Sequence, residues 1–259
     1  MNELLGLVFS PWTEKARWAL DVRRVPYTFR HYLPLIGEPA LRAKLRRLTG
    51  RVSVPVLTTD EGRVLDGSTD IARWADGRGA GPTLFPAEHE AEIARFIDLS
   101  ERALSAGRAR ALSRMLADDE ALAEMAPGPV RRALGPLASR LGALGVRRTL
   151  RKYGGHAADG ETHGEAHGEA HLQTQVAALD ELRATLARKT LAGTGPKTLL
   201  DSFTFADITM SQVLVNAAPP AALKLGAASR RCFSDPELGD RYADLIAWRD
   251  ELYRAFRTS

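Results

Sequence analysis

The first 78 residues alternate between short apolar runs and stretches whose apolar residues have helical spacing. The run "LLGLVF" (4–9) is bounded by polar residues and predicts a buried strand, and the helical pattern "PWTEKARWALDVRR" (11–24) follows it. The pattern then predicts, in order, a strand at 26–33, a helix at 37–50, two strands within 52–66 and a helix at 68–76. Strands that alternate with helices in this way predict a mixed sheet flanked by helices.

A stretch rich in glycine and proline, "DGRGAGPTLFP" (76–86), ends the strand signals and predicts an interdomain linker. Nearly every later pattern is helical, and one apolar stripe comprises Ile93, Phe96, Ile97 and Leu104. The sequence therefore predicts a sheet-containing domain at 1–78, a linker at 79–86 and an all-helical domain at 87–259.

A second apolar stripe runs through "PVRRALGPLASRLGALG" (129–145). Such a stripe can lie on a membrane surface, but we expect it to face the core of a helical bundle. The densest basic patch, "RRTLRK" (147–152), comes shortly after it and could meet a phosphate or an acidic ligand. A solvated helix face is the interpretation we favour for that patch. The apolar positions of the stripe are Val130, Leu134, Leu137, Leu141 and Leu144.

The stretch "GETHGEAHGEAH" (160–171) places His163, His167 and His171 four residues apart. On a helix, histidines with that spacing share a face and could hold a metal ion. However, the repeat contains about one glycine per turn, and each costs a helix interior roughly 1 kcal/mol relative to alanine. We therefore expect a low-complexity loop at about 155–171 and no metal site.

The stretch "DSFTFADITMSQVL" (201–214) carries a helix start signal. Thr204 and Asp207 stand three residues apart before an apolar helical run, which predicts a capping box with aspartate in place of glutamate. Phe203 and Ile208 flank the box as a predicted hydrophobic staple. This motif has a structural role and indicates no chemistry.

Composition limits the classes of protein that fit the chain. It has 259 residues, 44% of them hydrophobic and 26% charged, and a formal net charge of +4. Its single cysteine, Cys232, allows no disulfide within the chain and fits a reducing compartment. We find no secretory signal pattern and no apolar run near the ~18 residues that span a bilayer. We expect a soluble, cytoplasmic protein that binds neither nucleic acid nor membrane.

The order of the motifs resembles the soluble glutathione transferase superfamily. These motifs are a strand followed by "SP" and a helix, then "SVPVL", "DGSTDI", the linker, and an all-α half with its "FTFADI" cap. The resemblance implies an α+β thioredoxin-like N-terminal domain followed by an all-α helical-bundle domain. The motifs that carry the resemblance lie within 4–86 and 196–215. The family usually forms two-fold dimers, so a homodimer is expected.

In this family the residue at the first strand–helix junction hydrogen-bonds the thiol of glutathione, and Ser10 falls there. The resemblance therefore implies a serine-type enzyme in which Ser10 is a hydrogen-bond donor that favours the thiolate. The alternative from the residues alone is that Ser10 caps the helix and Pro11 fills its first position. Trp12 is a candidate wall of the acceptor pocket, or packs at the domain interface.

The resemblance also implies contacts for the rest of glutathione. Val54 would pair through its backbone with the cysteinyl part, before a cis Pro55; the alternative is an ordinary proline at a strand start. Ser68 would bind the γ-glutamyl carboxylate at a helix N-terminus, or act as a plain N-cap. The family usually has an acidic residue or glutamine before this serine, whereas this chain has Gly67, with Asp66 one place earlier.

A cation is expected for the glycine carboxylate of glutathione. Arg51 is the candidate, and four neighbours compete for that role or belong to a solvated helix face: Arg42, Lys44, Arg46 and Arg47.

The sequence thus predicts a detoxifying glutathione transferase, with glutathione as co-substrate and a hydrophobic electrophile as acceptor. Gly67 favours one alternative, a non-catalytic binding or assembly module with the same fold. A glutathione-dependent thiol reductase or isomerase is the third possibility, and serine rather than cysteine at position 10 argues against it.

Overall fold

The computed structural model describes residues 1–126, 128–135, 137–153, 164–189, 195–221 and 223–257. The N-terminal elements are β1 (Asn2–Gly6), α1 (Pro11–Val22), β2 (Tyr27–His31), α2 (Pro34–Leu45), β3 (Val56–Thr58), β4 (Val64–Asp66) and α3 (Ser68–Asp76). The later helices are α4 (Glu90–Leu116), α5 (Asp119–Glu124), α6 (Gly128–Leu134), α7 (Leu137–Tyr153), α8 (Gly164–Arg188), α9 (Phe205–Ser211), α10 (Ala227–Phe233), α11 (Pro236–Arg241) and α12 (Ala243–Phe256). The predicted order of strands and helices and the predicted fold class are confirmed.

The four strands form one mixed sheet in the order β2-β1-β3-β4. β1 pairs parallel with β2, and the pairs β1–β3 and β3–β4 are antiparallel. Alternate residues of a strand point to opposite faces, and Leu4 and Leu5 accordingly enter different cores. Leu4 packs with residues of α1 and α3, whereas Leu5 packs against the core formed by Leu41 of α2 with Val52 and Val56. The sheet therefore lies between α1 and α3 on one face and α2 on the other.

The chain divides into two compact units. The first comprises Met1–Asp98, Leu182–Gln212 and Ala247–Ser259, so the predicted linker lies inside it. The second comprises Leu99–Glu181 and Val213–Ile246.

In the first unit, the end of α12 packs on α1. The buried Trp18 indole N–H donates to the Phe256 carbonyl at 3.1 Å, and the Trp18 ring lies 4.4 Å from the Tyr253 ring. Arg257 donates through Nε to Glu14 Oε1 at 2.7 Å and through Nη1 to Asp21. Helix α1, which begins at the candidate site, is therefore covered by residues from the far end of the sequence.

The segment 76–85 is held by Arg23, which follows α1 and is 7% exposed. Its guanidinium donates to the carbonyls of Asp76 (2.8 Å), Gly79 and Gly81. The Asp76 carboxylate lies 3.2 Å from Arg23 Nε and accepts from the backbone N–H of Leu84 at 2.7 Å. A Cβ at Gly81 would lie 1.8 Å from the Val22 carbonyl oxygen, so this close approach requires glycine.

The second unit has a core between α4, α5, α7 and α10, formed by Leu112, Met115, Ala121, Leu122, Val146, Ala228 and Cys232. Helix α7 approaches α5 closely: a Cβ on Gly142 would lie 2.0 Å from the Leu122 carbonyl oxygen. The buried face of α7 therefore carries small side chains, with Ala138 and Gly142 among them.

The predicted burial of the 129–145 leucine stripe is wrong for three of its five positions. Val130, Leu137 and Leu144 are 37%, 53% and 54% exposed. Periodicity identified a helix with two unlike faces, but the close approach to α5 selected the face with small residues for burial. On α7, Leu137 and Leu144 consequently lie on the opposite side.

The predicted loop in the histidine repeat is also wrong where the structure describes it, because residues 164–171 form the first turns of α8. His163 lies outside the described residues. His171 is partly buried, and this burial lowers the pKa of its imidazole, as do nearby His167 and Arg110. Across the described ranges, we find no cluster of three or more His, Cys, Asp or Glu side chains placed to hold a metal ion. Nor does any helix in those ranges have the length and apolar content to cross a membrane.

Candidate functional site

Three chain segments meet at one end of the sheet. Leu5 near the end of β1 is paired with Val56 at the start of β3, and Val56 is paired with Asp66 at the end of β4. The junction before α1, the segment before β3 and the junction before α3 therefore lie at the same end of neighbouring strands. All three carry residues that the sequence predicts to contact glutathione.

Ser10 occupies the N-cap position of α1. Its backbone N–H donates to the Leu7 carbonyl and its carbonyl accepts from the Glu14 N–H, both at 3.0 Å. Its side chain accepts no capping hydrogen bond from the helix, and Pro11 stands at the first helical position. The predicted cap is thus formed by the backbone, and the Ser10 hydroxyl has no role in it. Trp12, one residue beyond Pro11, is partly buried.

The peptide bond between Val54 and Pro55 is cis. The Pro55 carbonyl accepts from the Gly67 N–H at 3.0 Å, which joins this segment directly to the start of α3. Val54 is partly buried and Pro55 is buried. The structure therefore brings Val54, Pro55, Gly67 and Ser68 together.

Helix α3 begins at Ser68, which is 4% exposed. The first N–H groups of a helix have no partners within it, and the helix dipole makes this end favourable for an anion. Gly67 is the N-cap residue, with φ +97° and ψ 152°. Glycine adopts this conformation readily and other residues do so at a cost. The glycine that departs from the family pattern is therefore suited to its backbone geometry.

Gly67→Ala is expected to lower the free energy of unfolding by about 1–3 kcal/mol, because alanine is strained at this φ. A Cβ there would meet no atom within 4 Å, so the backbone alone causes the loss. Urea denaturation measures it. Gly77→Ala is the matched control: Gly77 has φ −72° at the other end of α3, and its change should be neutral or slightly stabilising. Equal effects of the two substitutions would contradict the backbone explanation.

Asp66 forms an ion pair with Arg47, which is one of the cations that the sequence offers for the glycine carboxylate of glutathione. Arg47 Nη1 donates to Asp66 Oδ2 at 2.6 Å. Arg42 is engaged by Glu38 at 2.8 Å, and Lys44 by Glu3 at 3.1 Å. Three of the cations that compete for the glycine carboxylate therefore have carboxylate partners. The remaining competitor, Arg46, is the residue directly after α2 and caps that helix with φ +53°. The candidate itself, Arg51, is exposed.

The structure forms the capping box at the start of α9. The Thr204 hydroxyl accepts from the Ala206 N–H at 3.3 Å, and the Asp207 carboxylate accepts from the N–H groups of Thr204 (2.9 Å) and Leu199 (2.8 Å). Asp207 is fully buried, and burial raises its pKa from an ordinary 3.8 to about 7 against the effect of these bonds. The bond to Leu199 was not predictable from the local motif.

Cys232 lies in the core of the second unit and is 4% exposed. Burial, followed by the negative charge of nearby Asp118, raises the pKa of its thiol. A buried thiol with a raised pKa is a poor nucleophile at neutral pH.

Comparisons with known proteins agree with this geometry. Residues 9–78 match the family model of the glutathione S-transferase N-terminal domain. Among curated protein sequences, none matches this chain. Residues 9–78 are therefore similar to the glutathione S-transferase N-terminal domain, and the chain has the fold of solved glutathione transferases.

Solved structures show the same fold over nearly the full chain. One is a glutathione S-transferase from Methylobacillus flagellatus with glutathione bound: it has 16% identity and a TM-score of 0.61, and the match covers 98% of this chain and 95% of that one. Another, from Ceriporiopsis subvermispora in complex with glutathione, has 18% identity and a TM-score of 0.63, covering 100% and 98%. A family member from Pseudomonas fluorescens, with bound S-(propanoic acid)-glutathione, has 16% identity and a TM-score of 0.55, covering 97% and 94%.

Proposed function

We propose that this protein is a glutathione transferase that conjugates the glutathione thiolate to a hydrophobic electrophile. The observation that carries the proposal is the Ser10 junction. Its backbone completes the start of α1, while its hydroxyl takes no part in capping. A donor placed at a helix N-terminus favours a bound anion, and the thiolate is the anion that this chemistry needs.

The energies of such a junction suffice for thiolate formation. A hundredfold rise in the thiolate-to-thiol ratio requires about 2.7 kcal/mol. A hydrogen bond to a charged group contributes about 1.5–3 kcal/mol, and the start of a helix adds about 0.3–1 kcal/mol. Ser10 would donate to the thiolate and remain unmodified, since a covalent serine nucleophile needs an adjacent base.

The other segments at this end of the sheet would hold the rest of glutathione. The backbone of Val54 would pair with the cysteinyl part. The Ser68 hydroxyl and the first N–H groups of α3 would take the γ-glutamyl carboxylate. Asp66, already oriented by Arg47, would take the γ-glutamyl ammonium, and Arg51 the glycine carboxylate. Trp12 would form an apolar wall for the acceptor.

Ser10→Ala is expected to leave glutathione binding within about threefold of wild type and to lower kcat/KM by about 10–100-fold, because a hydrogen bond to a charged group is lost. Calorimetry measures the binding, thiolate absorbance at a fixed pH measures the ionised fraction, and conjugation to a generic aryl halide measures turnover. Ser202→Ala is the matched control, because Ser202 is exposed and lies far along the chain from this junction.

The proposal fails if wild type binds no glutathione at millimolar concentration, or if Ser10→Ala retains full thiolate and activity. The first outcome favours the non-catalytic binding or assembly module. Such a module would bind a protein partner and would not conjugate glutathione to the aryl halide. A reductase or isomerase would instead lose activity in Cys232→Ser. The buried position of that thiol argues against this third function. We also propose a cytoplasmic homodimer, in keeping with the superfamily resemblance.

A further inference from the structure

Helices α6 and α7 form the most basic part of the chain. Residues 128–153 contain seven Lys and Arg residues and no Asp or Glu. Since the whole chain has a formal net charge of +4 and this segment carries +7, the rest of the chain carries −3. The positive charge of the protein is therefore concentrated in these two helices.

The charge lies on the outer side of the helices. Six arginines of the segment are exposed: Arg131, Arg132, Arg140, Arg147, Arg148 and Arg151. On α7 the buried side is fixed by Gly142 against Leu122 and by Val146 in the core of the second unit. Because α7 cannot rotate without losing that packing, its outward side is a permanent feature of the surface.

Leucines share this outward side with the arginines. Leu137 and Leu144 stand seven residues apart and so lie on one helix face, and each is more than half exposed. Arg147 and Arg151 stand three and seven residues after Leu144, which places them on the same side. We name the exposed Leu137, Leu144 and six arginines the α6–α7 basic face. The face thus combines cations that attract acidic lipid headgroups with two exposed leucines that can enter the boundary of a bilayer.

We propose that the α6–α7 basic face docks on an anionic phospholipid bilayer, with α7 lying parallel to the membrane surface. This proposal replaces the expectation from sequence that the protein binds no membrane. The arginines would meet lipid phosphates and acidic headgroups, and the two leucines would enter the boundary of the acyl chains. Nucleic acid would satisfy the arginines and leave Leu137 and Leu144 in water. The exposed leucines therefore favour the bilayer.

The two ends of α7 differ in their surroundings. Near its start, Leu137 and Arg140 line a cleft of about 520 Å³ with Asp119 and Glu120 of α5, so acidic groups border that end. Arg147 and Arg151 lie toward the other end, within a stretch that has no acid in sequence. They are the residues whose charge should matter most for docking.

The test is co-flotation of the full chain with phosphatidylcholine vesicles and with vesicles containing one-third phosphatidylglycerol. We expect binding to the anionic vesicles only, with a fall at high salt because the charges are screened. Arg147→Glu with Arg151→Glu should lower the partition coefficient by more than about 25-fold, since each juxtamembrane arginine contributes about fivefold. Leu137→Ser with Leu144→Ser should lower it while leaving the salt dependence in place.

Arg188→Glu with Arg254→Glu is the matched control, because it changes the net charge equally at exposed positions outside this face. It should retain most of the binding, and Arg147→Lys with Arg151→Lys should retain it too. Circular dichroism shows whether each variant is folded. Absence of binding to anionic vesicles overturns the proposal, and so does an equal loss in the control. Binding to duplex DNA or RNA that the leucine variants do not weaken would assign the face to nucleic acid instead.

Discussion

Replacing Asp207 by alanine is expected to lower the free energy of unfolding by about 3 kcal/mol at pH 5, where its carboxyl is protonated in the folded protein. The substitution removes the acceptor of two backbone N–H groups, those of Leu199 and Thr204, in a fully buried site. Each buried donor left without a partner costs about 1–3 kcal/mol. Urea denaturation followed by circular dichroism measures the loss. Asp201→Ala is the matched control: Asp201 is 80% exposed and pairs with Lys189 and His89, so its loss should cost less than about 1 kcal/mol.

The ionisation of Asp207 gives this prediction a second, independent readout. Because its pKa is raised to about 7 in the folded protein, the folded state holds a proton between pH 4 and 7 that the unfolded state has released. The stability that the folded state gains from holding this proton on Asp207 is fully present below pH 4. It is lost as the pH rises to 7, at about 1.4 kcal/mol per pH unit. The stability difference between wild type and Asp207→Asn should therefore shrink or reverse over that interval. A pH-independent difference would show that Asp207 is ionised throughout.

Replacing Arg23 by methionine is expected to cost about 3–5 kcal/mol of stability. Methionine fills much of the same volume, but it leaves the partly buried Asp76 carboxylate without its cation. It also leaves the carbonyls of Gly79 and Gly81 without their donor. Chemical denaturation measures the change, and faster proteolysis at 76–85 should accompany it because the segment is no longer held.

Arg78→Met supplies the contrast within the same segment. Arg78 makes a bidentate pair with Glu61 at 2.7 and 2.8 Å, but both side chains are about half exposed. An exposed pair contributes about 0–1 kcal/mol. If the two arginine variants lose the same stability, burial is not what makes Arg23 important.

Local patterns allowed the elements around the candidate site to be predicted. The alternation in β1 that divides Leu4 and Leu5 between two cores is a property of any strand with two covered faces. The capping box at Thr204 follows from two side chains three residues apart. The cis bond before Pro55 was different, because nothing in the local residues required it and the expectation came from the superfamily resemblance.

Contacts between residues far apart in sequence were not predictable. The hydrogen bonds from Arg23 to the carbonyls of Asp76 and Gly79 join residues more than fifty positions apart. The spacing of apolar residues along the chain gives no sign of them. The leucine stripe of α7 shows the same limit. A helical pattern tells which residues share a face, but the neighbouring helix decides which face is covered. Here a glycine permitted the approach of α5 on the side opposite Leu137 and Leu144.

The contact of Trp18 with Phe256 bears on the order in which this chain folds during synthesis. The two residues stand 238 positions apart, and Arg257 joins Glu14 and Asp21 over a similar span. The ribosome releases the helix that starts at Ser10 long before residues 253–257 exist. The outer side of that helix, with its buried tryptophan and two carboxylates, must therefore stay uncovered until residues 253–257 have been synthesised. Contacts between residues so far apart in sequence form slowly, so this surface is a point at which the incompletely folded chain is prone to aggregate.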